Sequence, residues 1–255
     1  MTGTKNKIAL VTGGSRGLGK DMALRLAERG FDVIITYHSR KDDATRVVEE
    51  IASRGRKAHA LQLDVSDSST FDSFVNEVRS VLHSKFGAEG IDALVNNAGV
   101  GVHAPFTDTT PEQFDAMVNI HVKAPYFLTQ KLLSVINDGG SIVNISSGLA
   151  RFSFEGYSAY ATMKGAVETL TKYQARELGE RKIRVNVVAP GAIETDFGGA
   201  RVRNSPELKK TLSSLTVLGR VGTPDDIGGV VAFLCSDDSK WVNAQRIEVA
   251  GGIFV

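Results

Sequence analysis

Lys7 to Lys20 reads KIALVTGGSRGLGK. Its first part, KIALVT (7–12), is a short β-branched strand pattern. TGGSRGLGK follows directly from Thr12, with glycines at 13, 17 and 19, and a helical pattern runs on to about Gly30. A strand that enters a glycine turn and leaves as a helix brings backbone amides close to a pyrophosphate. The new helix also points the positive end of its dipole at that anion. The spacing here is Gly-x-x-x-Gly-x-Gly, not the commoner Gly-x-Gly-x-x-Gly. Glycines also serve tight strand–helix packing, so the turn takes its meaning from its neighbours.

Those neighbours repeat the pattern. DVIITY (32–37), KAHALQL (57–63), IDALVN (91–96), SIVNIS (141–146), IRVNVV (183–188) and RIEV (246–249) are further strands, with helical periods between them. The strands are apolar on both faces, as strands covered by helices on both sides are. The alternation predicts an α/β fold, a doubly wound parallel sheet of about seven strands with helices on both faces. No linker, repeat or low-complexity tract divides the chain, so one domain is expected over 1–255. The long stretch without a strand, 189–240, opens with PGAIETDFGGARVRNSPELKK. It reads as a substrate flap at about 192–218, or as a plain surface excursion.

Composition sets bounds. The chain has 255 residues, 42% hydrophobic and 23% charged, with a net charge of +1. That is an ordinary globular composition with no basic field for nucleic acid. A single cysteine, Cys235, rules out a disulfide within the chain and argues against a cysteine-based metal site. The N-terminal MTGTKNKIALVTGG has no signal-peptide apolar region, and no apolar run is long enough to span a bilayer. The expectation is a cytoplasmic protein with no nucleic-acid or membrane partner and no metal.

The end of the second strand distinguishes the cofactor. NAD binders usually place an acid about 20 residues beyond the glycine loop. Here TYHSRK (36–41) offers His38, Ser39, Arg40 and Lys41, and the loop itself carries Arg16. Arginine presents a planar fork that matches a phosphate, so NADPH/NADP is expected rather than NADH. A solvated start to the next helix is the plainer reading of the same charges. In LDVSD (63–67), Asp64 either contacts an adenine or caps the next helix. NNAG (96–99) can tie strand ends together and admit the cofactor.

The reactive groups lie in YSAYATMKGA (157–166), where Tyr160 and Lys164 share one helix face among small residues. A free phenol titrates near ~10, and a cation within about 4–6 Å lowers that value. Such a tyrosine exchanges a proton with a carbonyl or alcohol oxygen. NISSG (144–148) offers Ser146 or Ser147 to hold that oxygen at a strand's carboxyl end.

With these motifs in order, the chain resembles the short-chain dehydrogenase/reductase family from end to end. The matches are TGGSRGLG (12–19), NNAG (96–99), Asn119 in MVNIH, Ser147 in NISSG, YATMK (160–164) and PGAIET (190–195). The resemblance implies a single Rossmann-type NAD(P)-binding catalytic domain and a catalytic tetrad. In it Tyr160 is the acid-base, Lys164 holds the ribose and lowers the Tyr160 pKa, Ser147 orients the carbonyl, and Asn119 holds a water that passes protons to Lys164. The implied cofactor contacts are Gly13, Ser15, Arg16, Gly17, Leu18, Gly19, His38, Ser39, Arg40, Asp64, Val65, Asn97, Ala98, Gly99, Tyr160, Lys164, Pro190, Gly191, Ile193 and Thr195. His103, Phe152, Phe154, Tyr157 and Phe197, with Val100, are candidates for an apolar substrate pocket, or for packing. No role is read for His59, His83 or His121.

The implied activity is NADPH-dependent reduction of a ketone, or the reverse oxidation of a secondary alcohol. An alternative is a 3-oxoacyl-acyl-carrier-protein reductase, since the chain looks closest to those ketoreductases. Arg181 matches one carrier-docking position, but INDGGSI (136–142) puts Asp138 and glycines at the other. A non-catalytic dinucleotide sensor is a further reading, opposed by the intact tetrad. The helices at about 111–137 and 157–180 and the terminal GGIFV resemble the family's subunit contacts and imply a homotetramer.

Overall fold

A computed structural model describes residues 6–255. Residues 1–5, which belong to the expected domain and to the N-terminal segment read above, lie outside the described residues. Seven strands form one sheet: β1 (Ile8–Val11), β2 (Asp32–Tyr37), β3 (Ala58–Gln62), β4 (Ile91–Asn96), β5 (Ile136–Ile145), β6 (Arg184–Pro190) and β7 (Arg246–Val249). Their order is β3-β2-β1-β4-β5-β6-β7, and every pairing is parallel. The chain steps outward from β1 to β3, then returns to place β4 on the other side of β1. That reversal opens a crevice at the carboxyl ends of β1 and β4, where open α/β sheets bind ligands.

Side chains of a strand alternate between faces, so one strand feeds two cores. Leu10 of β1 packs with Ile34, Leu94 and Ile142 against Phe71, Phe74 and Val78 of α3 (Phe71–Val81). Its neighbours Ala9 and Val11 pack the other way, against Met22 and Leu26 of α1 (Gly17–Glu28) and Val231 of α9 (Asp225–Cys235). Leu10 is wholly buried, and truncating such a residue to alanine costs about 2–5 kcal/mol. The edge strands β3 and β7 are only partly covered. α2 (Lys41–Ser53) completes the layer over β2 and β3.

Two elements differ from the sequence pattern. The helix expected over about 111–137 is α4 (Pro111–Val118), a π-helical stretch over Asn119–Leu128, and α5 (Thr129–Leu132). Pro125 lies inside the wide winding and cannot donate a backbone hydrogen bond there. β5 starts at Ile136, five residues before the SIVNIS run at 141, because glycines 139 and 140 let the chain approach β4 closely. A Cβ on Gly140 would sit 3.1 Å from the Asp92 carbonyl. The helix expected over about 157–180 is α6 (Ser158–Glu177), followed by a short 3₁₀ turn.

The segment read as a flap is itself helical, with α7 (Phe197–Asn204) and α8 (Pro206–Ser214). Gly198, Gly199 and Ala200 all take left-handed backbone angles within α7, a conformation that costs an alanine roughly 1–2 kcal/mol. The Ser205 side chain caps α8 by accepting from the Leu208 amide at 3.2 Å.

Candidate active site

The glycine turn builds one end of the site. Thr12 follows β1 directly, and its hydroxyl accepts from the amides of Asn97 and Ala98 at 2.9 and 3.0 Å. The Asn97 side chain donates back to the carbonyls of Thr12 and Gly13 at 2.8 and 3.2 Å. The turn after β1 is thereby clamped to the turn after β4. A Cβ on Gly19 would lie 2.2 Å from the Gly13 carbonyl, so only glycine lets α1 begin this close to β1.

A cavity of about 570 Å³ runs from this cradle to the N-terminal turn of α6. On its wall are Gly13, Ser15, Arg16, Gly17, Leu18, His38, Ser39, Arg40, Asp64, Val65, Asn97, Ala98 and Gly99 at one end. Ser147, Tyr160, Lys164, Pro190, Gly191, Ile193 and Thr195 line the other. Gly19 is buried behind the wall. The cavity's length, its glycine cradle and its cluster of cations fit a dinucleotide phosphate.

Those cations are partly engaged. Arg16 donates to Asp196 at 2.9 Å, and Asp196 also meets Arg203. Arg40 stands 3.5 Å from Asp43, and His38 stands 3.6 Å from Asp64. Asp64 accepts from the amide and hydroxyl of Ser66 at 2.9 and 2.7 Å. These bonds, the hydroxyl's first, hold its carboxyl below the usual range. Asp64 is thus both a turn residue and part of the wall.

At the reactive end the two serines separate. Ser146 is buried and donates to Glu168 at 2.8 Å, whereas Ser147 meets the Tyr160 phenol. Glu168 also accepts from Arg246 at 2.6 Å, and Arg246 reaches the Ser147 carbonyl at 3.4 Å. This brace under Ser147 was missed in the sequence. Its signal was there, because Glu168 lies four residues beyond Lys164 on the same helix face.

Tyr160 and Lys164 are 7% and 6% exposed. The Lys164 ammonium donates to the Ile145 carbonyl at 2.8 Å. Burial pushes the Tyr160 phenol well above its ordinary value, and the Ser147 hydroxyl, donating to it, pulls the other way. Burial brings Lys164 down to about 7. Burial is thus the largest influence on both groups in this site.

Asn119 ends α4 where the π-helical winding starts and is not on the wall of either the large cavity or the small one beside Lys164. His121, given no role above, lines both and stands edge-on to the Tyr160 ring at 5.1 Å.

Phe152, Phe154, Tyr157, Phe197 and Val100 all line the mouth near Tyr160, joined by Leu149, Val202, Leu208, Leu212 and Ile253. The last four come from the flap and the C-terminus, whose approach no local pattern announces. Phe197 lies 5.4 Å from the Tyr160 ring. His103 does not reach the wall; it packs edge-on against Tyr157 at 5.0 Å. Among the described residues no cluster of histidine, cysteine or carboxylates could hold a metal.

Residues 13–253 match a family model described as enoyl-(acyl carrier protein) reductase. Hydroxynaphthalene reductase-like protein Arp2 of Metarhizium brunneum is 38% identical over 96% of this chain and 94% of its own. The crystal structure of angucycline C-6 ketoreductase LanV with bound NADP superposes with a TM-score of 0.92 at 40% identity, covering 97% of this chain and 95% of that one. The reductase LugOII, described as promiscuous and as catalysing keto-reduction at C1 during lugdunomycin biosynthesis, superposes with a TM-score of 0.92 at 36% identity over 98% of each chain.

Proposed function

The chain belongs to the short-chain dehydrogenase/reductase family, and on that footing we propose that it reduces ketones borne on fused aromatic rings, with NADPH as hydride source. In the broader sense it is an NADP-dependent oxidoreductase of carbonyl and secondary-alcohol groups. One observation carries the narrower reading: the Tyr160 phenol, with Ser147 beside it on the same wall, lies in a cavity whose mouth is walled by Phe152, Phe154, Tyr157 and Phe197. Flat aromatic walls favour flat aromatic substrates. The relatives named for hydroxynaphthalene and angucycline ketones support it.

Bound NADPH supplies the hydride. Gly13 and Gly17 would hold its pyrophosphate, Arg16 and Arg40 its 2′-phosphate, and Ile193 and Thr195 its amide. Ser147 and Tyr160 grip the substrate oxygen, and Tyr160 gives that oxygen its proton as the carbon takes the hydride. Lys164, poised near neutrality, returns a proton toward the phenolate. Ketone, hydride and one proton together make the alcohol.

An acyl-carrier substrate is disfavoured by the state of Arg181. Its guanidinium is paired with Asp138 at 2.7 Å and donates to the Leu133 carbonyl at 2.9 Å, so little of its charge is free for an acidic partner. A dinucleotide sensor would need no phenol aimed into the cavity. No helix among the described residues is long and apolar enough to cross a membrane. We place the enzyme in the cytoplasm as a homotetramer. Supporting the assembly, Phe114, Tyr126, Phe127 and Tyr173 leave aromatic surface exposed on the helices from 111 to 177.

The test is NADPH consumption with fused-ring aryl ketones, simple β-keto esters and a β-ketoacyl carrier thioester. The reading predicts a kcat/KM at least about tenfold higher for the ring ketones. Preference for the carrier thioester would overturn it.

A further inference from the structure

We infer that His121 is a positioning residue of the proton supply, anchoring a buried water between its Nδ1 and the Lys164 ammonium. The inference rests on the carbonyl-reductase reading above. His121 is 1% exposed, and its Nε2 lies 2.7 Å from the Val100 carbonyl. A carbonyl only accepts, so Nε2 carries the ring proton and Nδ1 carries a lone pair. That Nδ1 has no hydrogen-bond partner among the described residues. Burial, with the charge of Lys164, brings the imidazole down to about 3, so it stays neutral. A neutral ring with a buried lone pair and no partner is a costly arrangement unless something donates to it.

The space for a donor is present. His121 and Lys164 share the wall of a separate cavity of about 20 Å³, with Thr12, Asn96 and Asn144. That volume suits one water, and the wall is polar enough to hold it. Lys164 spends one of its three N–H groups on the Ile145 carbonyl. A second donates to the water, and the water donates to His121 Nδ1. Gly99 makes room for this edge of the ring, since a Cβ there would lie 2.7 Å from His121 Cε1 and 3.4 Å from Nδ1.

The proton path then balances. Tyr160 protonates the carbonyl oxygen, and Lys164 passes a proton toward the phenolate. The water protonates Lys164 and regains its proton from solvent. His121 exchanges none; it fixes the water's orientation. Asn119 is not on the wall of this cavity.

Two variants separate this from a packing role. His121→Gln can keep an N–H for the Val100 carbonyl but offers nothing at Nδ1. His121→Asn can keep an acceptor near Nδ1 but loses the Val100 bond. The inference predicts that His121→Gln keeps the fold and the NADPH Kd, while kcat falls about tenfold, within the scale of acid–base effects, and the solvent deuterium isotope effect grows. His121→Asn keeps more of kcat and less stability. In the cofactor-free wild type, ¹⁵N NMR should show the Nε2–H tautomer, and a high-resolution crystal structure should show a water within hydrogen-bond distance of both Nδ1 and Nζ. Wild-type kcat and isotope effect in His121→Gln, an Nδ1–H tautomer, or no such water would overturn it. The cofactor-free readouts stand even if the wild type reduces no ketone, so the two readings fail separately.

Discussion

The Lys164 ammonium lies over the Tyr160 ring, 5.3 Å from its centre, and donates to the Ile145 carbonyl, with both side chains buried. The pair therefore waits in its protonated-phenol state. In the cofactor-free protein Tyr160 should titrate above the ordinary ~10 of a phenol. Adding NADP, whose nicotinamide is cationic, should bring it down. The ultraviolet difference titration of wild type against Tyr160→Phe reads both, and a cofactor-free titration below the ordinary value would show that burial is not in control.

The two adjacent serines should part company on mutation. Ser147→Ala removes the hydroxyl beside Tyr160, which also accepts from the Leu149 amide, so kcat should fall on the order of 10²-fold, with stability lowered by no more than about 1 kcal/mol. Ser146→Ala removes a buried bond to Glu168. It should cost about 1 kcal/mol of stability and leave kcat within a fewfold. Turnover and thermal unfolding of both variants decide it, and exchanged outcomes would mean that the serines have been assigned the wrong way round.

Cofactor choice rests on Arg40, which is 57% exposed and only loosely tied to Asp43. Arg40→Asp should raise the Kd for NADPH about 10–100-fold, as loss of a charge-assisted phosphate contact does, and hardly change that for NADH. Equal weakening of both would move the 2′-phosphate elsewhere. Asp196→Asn should tighten NADPH modestly by releasing Arg16.

Most of the fold could be read in the chain because its signals are local. β1, α1 and their glycine turn are contiguous, and so are Tyr160 and Lys164. What could not be read depends on distant approach. His121 meets Val100 and Tyr160 only because π-helical winding breaks the ordinary 3.6-residue face after Val118. Leu212 and Ile253 reach the cavity through the flap and the C-terminus. Arg246 braces Ser147 across 99 positions. The upward push of burial on the phenol could not be read either, because spacing gives the neighbour but not the depth at which both are buried.

His121 also sets an acid limit. Its folded pKa of about 3 lies below the ordinary 6.5 of an unfolded histidine. The unfolded chain therefore takes up this proton first as pH falls. Stability contributed by the neutral ring is whole above 6.5 and is lost progressively toward 3. At about 1.4 kcal/mol per unit, the loss reaches a few kcal/mol. Urea unfolding from pH 7 to 4 should show a steeper decline in wild type than in His121→Gln; parallel declines would place the acid sensitivity elsewhere.

The central claim is that the buried phenol of Tyr160 delivers the proton as hydride reaches the carbonyl carbon. Single-turnover reduction of a fused-ring ketone by Tyr160→Phe, with NADPH already bound, tests it most directly. The account predicts an unchanged NADPH Kd and a rate lowered by at least about 10²–10⁴-fold, the span of general acid catalysis. A variant that binds NADPH and reduces the ketone as fast as the parent would contradict it.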